Sequence, residues 1–335
     1  MPGSQPPLRW GILGAGGIAA TVAHDIAATP GNVVQAVAAR CEQRAGAFAA
    51  AHGVPSFSGS YAELVHDPAV DVVYVATTHA QHHEQCLLAL AAGKPLLVEK
   101  AFTLNARQAR EVADAAGRAG RFVMEAMWLR FQPLLRQARE LVAAGTIGEV
   151  QSVRAELCRA FAFDPTHRLY DLAAGGGALL DLGVYPINFA WVFLGKPEKV
   201  QVSGALSPTG SDATAALLFD YGDGRFAQLA CSTLARTEPV ALIVGTDGWI
   251  EAHGAVHRIR RLVVHTAAGD EVIEAPVPPG LHGYQYEVAE VQRCLAAGVT
   301  ESDVMPLADT VAVLEVIDEV RARLGVRYPA DAAPN

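Results

Sequence analysis

From Leu8 to Met124, short apolar runs alternate with amphipathic stretches in a repeating order. Leu8–Leu13 precedes a helix-like stretch from Ile18 to Ala28, and Val33–Ala39 leads into Glu42–His52. Asp71–Ala76 leads into Gln81–Ala92, Pro95–Val98 into Ala106–Ala119, and Arg121–Met124 closes the series. Buried strands alternating with helices over short connections predict a parallel sheet covered on both faces. After about Glu125 the period changes. A helical stretch, Pro133–Ala144, is followed by longer alternating runs at Glu149–Arg159, Lys199–Ala205, Ala213–Asp220, Arg225–Leu234, Val240–Ile250 and Arg258–His265. Tyr221-Gly222-Asp223-Gly224 and Ala268-Gly269-Asp270 carry hairpin-turn chemistry. This part predicts an α+β domain on a broad, mostly antiparallel sheet. A last helix, from about Pro306 to Leu324, stops at Gly325.

Composition narrows the classes. The chain has 335 residues, 51% of them hydrophobic and 18% charged, enough to bury the cores of two domains. A net charge of −9 argues against nucleic acid or an anionic membrane as the main partner. No apolar run reaches the ~18 residues a membrane span needs. Met1–Pro7 is polar and lacks the basic start and apolar middle of a signal peptide. Cys41, Cys86, Cys158, Cys231 and Cys294 are scattered and odd in number, forming neither a disulfide framework nor a metal knuckle. These features lead us to expect a soluble, cytoplasmic protein.

The first chemical signal lies between the first strand and helix: Gly14-Ala15-Gly16-Gly17-Ile18-Ala19. Gly14 suits a tight turn, Gly16 lets the backbone approach a pyrophosphate, and Ala19 permits close packing of helix on strand. Phosphates then sit at a helix N-terminus, where free N–H groups and the dipole favour negative charge. The first part is therefore expected to be a doubly wound Rossmann domain for a dinucleotide, residues 1–126. Residues 127–335 form the expected substrate-binding and oligomerisation domain. The second strand ends Ala38-Ala39-Arg40, where an arginine suits a ribose 2′-phosphate. That favours NADP, although Glu42, two residues on, leaves NAD possible.

Ligands in such sheets bind beyond the carboxyl ends of the strands. Besides the glycine loop, two ends carry polar groups: Thr77-Thr78-His79 with His82 a turn later, and Glu99-Lys100. The residues expected around the cofactor are Gly14, Gly16, Gly17, Ile18, Arg40, Thr77, Thr78, His79, His82, Glu99 and Lys100. Thr77 and Thr78 also suit a plain helix cap. His79, His82 and His83 lack a carboxylate or thiolate at ligand spacing, so no metal is expected there. Downstream, Asp181 and Tyr185 are four apart and share a face if helical, with Pro186 disturbing the turn near Leu182 and Gly183 making room. A tyrosine with a free pKa near ~10 becomes a useful base where an ammonium favours its phenolate. Lys100 supplies that charge if the domains close together.

These residues carry a resemblance. Over essentially its whole length the chain resembles the glucose–fructose oxidoreductase / inositol dehydrogenase (Gfo/Idh/MocA) family. The resemblance rests on the glycine loop, Val98-Glu99-Lys100, Gly175–Asn188 and the closing Gly325-Val326-Arg327-Tyr328-Pro329. Phe122–Phe131 and Gly176–Tyr185 are most similar to the branch of dimeric dihydrodiol dehydrogenases and related NADP-dependent sugar dehydrogenases. The resemblance implies that Lys100 helps bind substrate hydroxyl and nicotinamide ribose, that Tyr185 is the acid/base, and that Asp181 assists. It also implies Arg40 for the 2′-phosphate and Trp128, Arg130 and Arg168 in the substrate pocket. The implied activity is hydride transfer between NAD(P) and a secondary alcohol or hemiacetal of a cyclic sugar, polyol or dihydrodiol. Relatives also include NAD-dependent glycosidases and non-enzymatic NADP-sensing regulators. The free sheet face, through which the family typically pairs, implies a homodimer or dimer of dimers. The family usually reads Glu-Lys-Pro after the fifth strand. Here Ala101 stands in the proline's place, so that peptide is expected to be trans or strained.

Overall fold

A computed structural model describes residues 6–238, 240–275 and 278–331; Met1–Gln5, most of the polar N-terminal segment, lies outside the described residues. The chain forms two compact units. The first holds residues up to Thr103, Arg107–Ala126 and 278–310; the second holds Leu104–Ala106, 127–275 and the chain from Val311. The single boundary expected at 126/127 is thus not the only crossing, because 278–310 folds with the first unit. Helix Gln285–Ala297 explains this: it buries Val288, Val291 and Cys294. Asn32 Nδ2 donates to Gln292 Oε1 at 2.9 Å, and the Val123 amide donates to the Thr300 carbonyl at 3.2 Å.

In the first unit the strands are β1 (Leu8–Leu13), β2 (Asn32–Ala38), β3 (Ser56–Ser58), β4 (Val72–Val75), β5 (Leu96–Glu99) and β6 (Val123–Ala126). They form one sheet in the order β3-β2-β1-β4-β5-β6, with every pairing parallel. The helices between them are α1 (Gly17–Ala28), α2 (Glu42–His52), α3 (Tyr61–His66), α4 (His79–Ala91) and α5 (Ala106–Ala119). Every residue of β4 and β5 is buried, as expected of strands covered on both sides. The strand order reverses between β1 and β4, which opens a crevice at their carboxyl ends. The short β3 and α3 escaped the sequence reading because Ser56-Phe57-Ser58 is brief and half polar.

The second unit carries α6 (Pro133–Ala143), β7 (Val150–Cys158), α7 (Val184–Leu194), β8 (Lys199–Leu206), β9 (Asp212–Asp220) and β10 (Phe226–Ser232). Four more strands follow: β11 (Val240–Gly245), β12 (Gly248–His253), β13 (Arg261–Thr266) and β14 (Gly269–Glu274). The sheet order is β14-β13-β12-β11-β7-β10-β9-β8, antiparallel except for the β7–β10 pair. Val240–Ile250, read as one run, is in fact a hairpin. Gly245 and Gly248 mark the reversal: a Cβ on either would lie 2.0 or 2.2 Å from the carbonyl oxygen of Ile147 or His265. Inward positions such as Val153, Leu217, Phe219 and Leu229 are buried, and α7 packs on that side against β7 and β10. Outward positions alternate with them and stay exposed, among them Leu218, Phe226 and Trp249. The helical stretch Leu172–Leu194 is, contrary to expectation, long and apolar enough by composition to cross a membrane. Most of it is buried inside the unit, where it serves as the core helix.

Candidate active site

At the end of β1, Gly14 adopts φ +111°, and a Cβ there would lie 2.5 Å from the Ala76 carbonyl oxygen at the end of β4. Only glycine lets the two strand ends come this close. Gly16 caps α1 with no side-chain bond, the first turn holds no acidic residue, and a Cβ on Gly16 or Gly17 would meet nothing within 4 Å. Ile18 is half-buried and Ala19 is buried against the sheet. The open loop therefore offers backbone N–H groups to an anion. Beside it, Thr77 Oγ1 is buried without a hydrogen-bond partner. Thr78 occupies the N-cap position of α4 but makes no capping bond, so the plain capping role fails for both threonines. An open glycine cradle with an orphan hydroxyl beside it fits a dinucleotide. Arg40, two residues past β2, is exposed, as is Arg44, and the charges of both reach Tyr61.

Lys100 follows β5 and is half-buried. Its turn is firmly held. The Lys100 amide donates to Glu99 Oε2 at 3.1 Å, and Tyr74 donates to Glu99 Oε1 at 2.5 Å. The Phe102 amide donates to Glu125 Oε1 at 3.2 Å, and Glu125 Oε2 accepts from Thr310 at 3.0 Å. The Lys100–Ala101 peptide is cis, which rules out the trans alternative. His82 is completely buried, with Nδ1 3.0 Å from the Ala101 carbonyl and Nε2 3.2 Å from the Thr77 carbonyl. Burial first, and the Lys100 charge in addition, push its basicity down to about 4. A neutral imidazole carries one N–H, so His82 donates to one of these two carbonyls while packed between the Thr77 loop and the Lys100 turn. His79 is buried, edge-on to His82 with ring centroids 5.8 Å apart.

In the second unit, Tyr185 begins α7 directly after a wide turn. The Val184 amide reaches back to the Leu179 carbonyl, making Leu179–Gly183 a π-helical turn. Pro186 accounts for it: it lacks an N–H, and its ring would press on the carbonyl of Leu182 in a regular helix. Gly183 is needed for a different reason than expected, since a Cβ there would lie 2.9 Å from Cys231 Sγ on β10. Tyr185 is buried, and Trp128 Nε1–H donates to its oxygen at 2.9 Å. His257 lies against the Tyr185 ring at 4.8 Å and against Trp128 at 5.4 Å, with Nε2 3.3 Å from Arg159 Nη2. Asp181 accepts from Arg168 Nη1 at 3.1 Å, and Arg168 is half exposed. Arg130, expected in the pocket, is buried, with Nε and Nη2 bonded to Asn188 Oδ1 at 3.1 and 2.9 Å. It braces α7.

Two contributors carry no motif: His257 and Asp212. Asp212 is fully buried, and its Oδ2 accepts the Leu179 amide at 2.5 Å, fixing the start of the helix that bears Asp181 and Tyr185. Gly177 at φ +140° leaves room for its other oxygen, and Tyr328 donates to the neighbouring Gly176 carbonyl at 2.9 Å. Burial pushes the Asp212 carboxyl up to about 6, against the pull of the Leu179 amide. Ionising it in the fold therefore costs stability, a cost that appears as pH rises from the unfolded pKa of ~3.9 through about 6. Asp212→Asn is accordingly expected to melt at or above the parent temperature at pH 7.5, with the difference closing below pH ~4. A variant that melts lower at pH 7.5 than at pH ~4, relative to the parent, would contradict this.

A family model described as an oxidoreductase family with an NAD-binding Rossmann fold matches residues 8–127. The GFO/IDH/MocA C-terminal domain model matches residues 135–251. A trans-1,2-dihydrobenzene-1,2-diol dehydrogenase from Macaca fascicularis is 38% identical over 333 residues, covering 97% of this chain and 99% of its own. A 3-ketoreductase from Actinomadura kijaniata, solved with NADP and TDP-benzene, superposes with TM-score 0.81 at 28% identity, covering 94% of this chain and 97% of its own. Levoglucosan dehydrogenase, solved with NADH and levoglucosan, shares the fold with TM-score 0.87 at 20% identity, covering 95% and 97%. With both domains matched and the identity sustained over nearly the whole chain, the protein belongs to the Gfo/Idh/MocA family of NAD(P)-binding oxidoreductases.

Proposed function

We propose that the protein is an NADP-dependent dehydrogenase acting on a secondary alcohol or hemiacetal of a cyclic sugar, polyol or dihydrodiol, with Tyr185 as acid/base. The observation that carries this reading is the Trp128 N–H donated to the Tyr185 oxygen. A hydrogen-bond donor at that atom favours the phenolate and holds it in one direction. In the oxidative direction Tyr185 takes the hydroxyl proton of the substrate. Asp181, fixed by Arg168, orients that hydroxyl. Lys100 binds the substrate hydroxyl and the nicotinamide ribose, on a turn that His82 and Glu125 hold in place. When bound, the nicotinamide supplies the two-electron chemistry by accepting hydride from the carbinol carbon. Removing the indole donor raises the phenol pKa, so Trp128→Phe is expected to move the ascending, low-pH limb of the oxidation profile up by about one pH unit. An unchanged profile would argue against Tyr185 as the base.

For the nucleotide, Arg40 with Arg44 nearby supports NADP. Arg40→Ala is expected to weaken NADP about ten- to a hundredfold and NAD little, because only the 2′-phosphate pairs with the guanidinium fork. Equal losses measured by fluorescence titration would remove the assignment. For assembly, the outward sheet face exposes Leu218 (37%), Phe226 (39%), Trp249 (43%) and Val272 (59%), an apolar surface of the kind that interfaces cover. Light scattering at micromolar concentration is expected to give a homodimer or dimer of dimers, and a monomer mass would contradict this.

A further inference from the structure

We propose that His24, Asp25 and His282 form a binding site for one divalent transition-metal ion of the zinc or copper class. Asp25 lies near the end of α1, with its side chain fully shielded from solvent. Its two oxygens have different surroundings. Oδ2 accepts the amides of His282, Gly283 and Tyr284 at 3.0, 3.1 and 3.0 Å. Oδ1 faces His282 Nδ1 at 2.9 Å and His24 Nδ1 at 3.2 Å, with the His282 amide at 3.2 Å. The two imidazoles stand edge to face, with centroids 5.2 Å apart.

Two imidazole nitrogens and one carboxylate oxygen make the donor set that borderline divalent ions prefer. One ligand atom from each residue lies within 4.8 Å of those from the other two. An ion bonded at about 2.0–2.2 Å to each needs ligand atoms roughly 3–4 Å apart, so small side-chain rotations close the site. The histidines are free to make them, with 52% and 45% of their side chains exposed. The carboxylate does not need to move. The loop amides on its far oxygen supply the outer hydrogen bonds that orient metal-ligating carboxylates. The exposed side leaves the remaining coordination positions to water. An ion here would tie α1, the helix that opens at the glycine loop, to a segment 257 residues away in sequence.

The test uses the full chain, stripped of metal by a chelator, in a Cys41→Ser background because Cys41 is an exposed thiol. Titration with Co²⁺ is expected to give visible absorption saturating at one ion per chain, and Zn²⁺ is expected to raise the melting temperature in proportion to the logarithm of its concentration. His24→Gln and His282→Gln should each weaken binding at least about tenfold, and the double variant should abolish both signals. His66→Gln, at an exposed histidine on α3, should change neither. Melting that ignores zinc, or absorption that survives the double variant, would overturn the site and leave a hydrogen-bonded tether in its place. None of these readouts depends on catalytic activity.

Discussion

Replacing Tyr185 by phenylalanine is expected to lower kcat by about 10²–10⁴-fold while leaving NADP affinity nearly unchanged. Only the hydroxyl is lost. The ring keeps its place against His257, so the α7 segment should retain its packing. The Trp128 N–H loses its acceptor, costing about 1–3 kcal/mol of stability, which thermal melting will register apart from the kinetics. The nucleotide-binding loop lies in the other compact unit, so cofactor titration is an internal control. Near-normal turnover in the variant would place proton transfer elsewhere. Asp181 would then be the next candidate, ahead of His82, whose ring nitrogens both face carbonyls and whose basicity is pushed down to about 4.

Lys100→Met is expected to lower kcat/KM by about 10²–10³-fold, the scale of losing one charged donor at a reacting oxygen. The turn should survive, because its fixed points are the Ala101 carbonyl, the Phe102 amide and Glu99, none of which the substitution removes. An unchanged melting temperature would confirm that. Lys100→Arg should not restore the rate, since a planar fork does not replace a compact ammonium. Restoration by arginine, or a methionine variant with near-parent kcat/KM, would show that this lysine does not touch the reacting groups.

The first unit was the more legible part of the sequence, for a physical reason. Parallel strands buried on both faces appear as unbroken apolar runs, and the glycine loop is constrained by local sterics that a short motif records. The contribution of Gln285–Ala297 to that unit was hidden, because it depends on contacts between residues far apart, such as Asn32 with Gln292. In the second unit the alternation gave the sheet, but the Val240–Ile250 reversal depends on where glycine meets the Ile147 and His265 carbonyls. The wide turn before Tyr185 was half legible: Pro186 announced a disturbance, whereas the role of Gly183 depends on a cysteine in another strand. Trp128 and Arg168 were picked out by resemblance, yet their partners, Tyr185 and Asp181, became visible only in three dimensions. Arg130 was likewise picked out by resemblance, and its burial and its bonds to Asn188 were visible only in the structure. His257 and Asp212 stand among unremarkable neighbours, and no local pattern marks either.

Nicotinamide reduction can be observed directly. The purified protein would be mixed with NADP or NAD and a panel of aldoses, inositols and trans-dihydrodiols, following absorbance at the reduced-nicotinamide band. NADP is expected to be reduced in preference to NAD, with one equivalent of ketone or lactone formed per cofactor reduced and the activity lost in Tyr185→Phe. Sugar release from a glycoside with no net change in that absorbance, or saturable NADP binding with no turnover on any member of the panel, would contradict it.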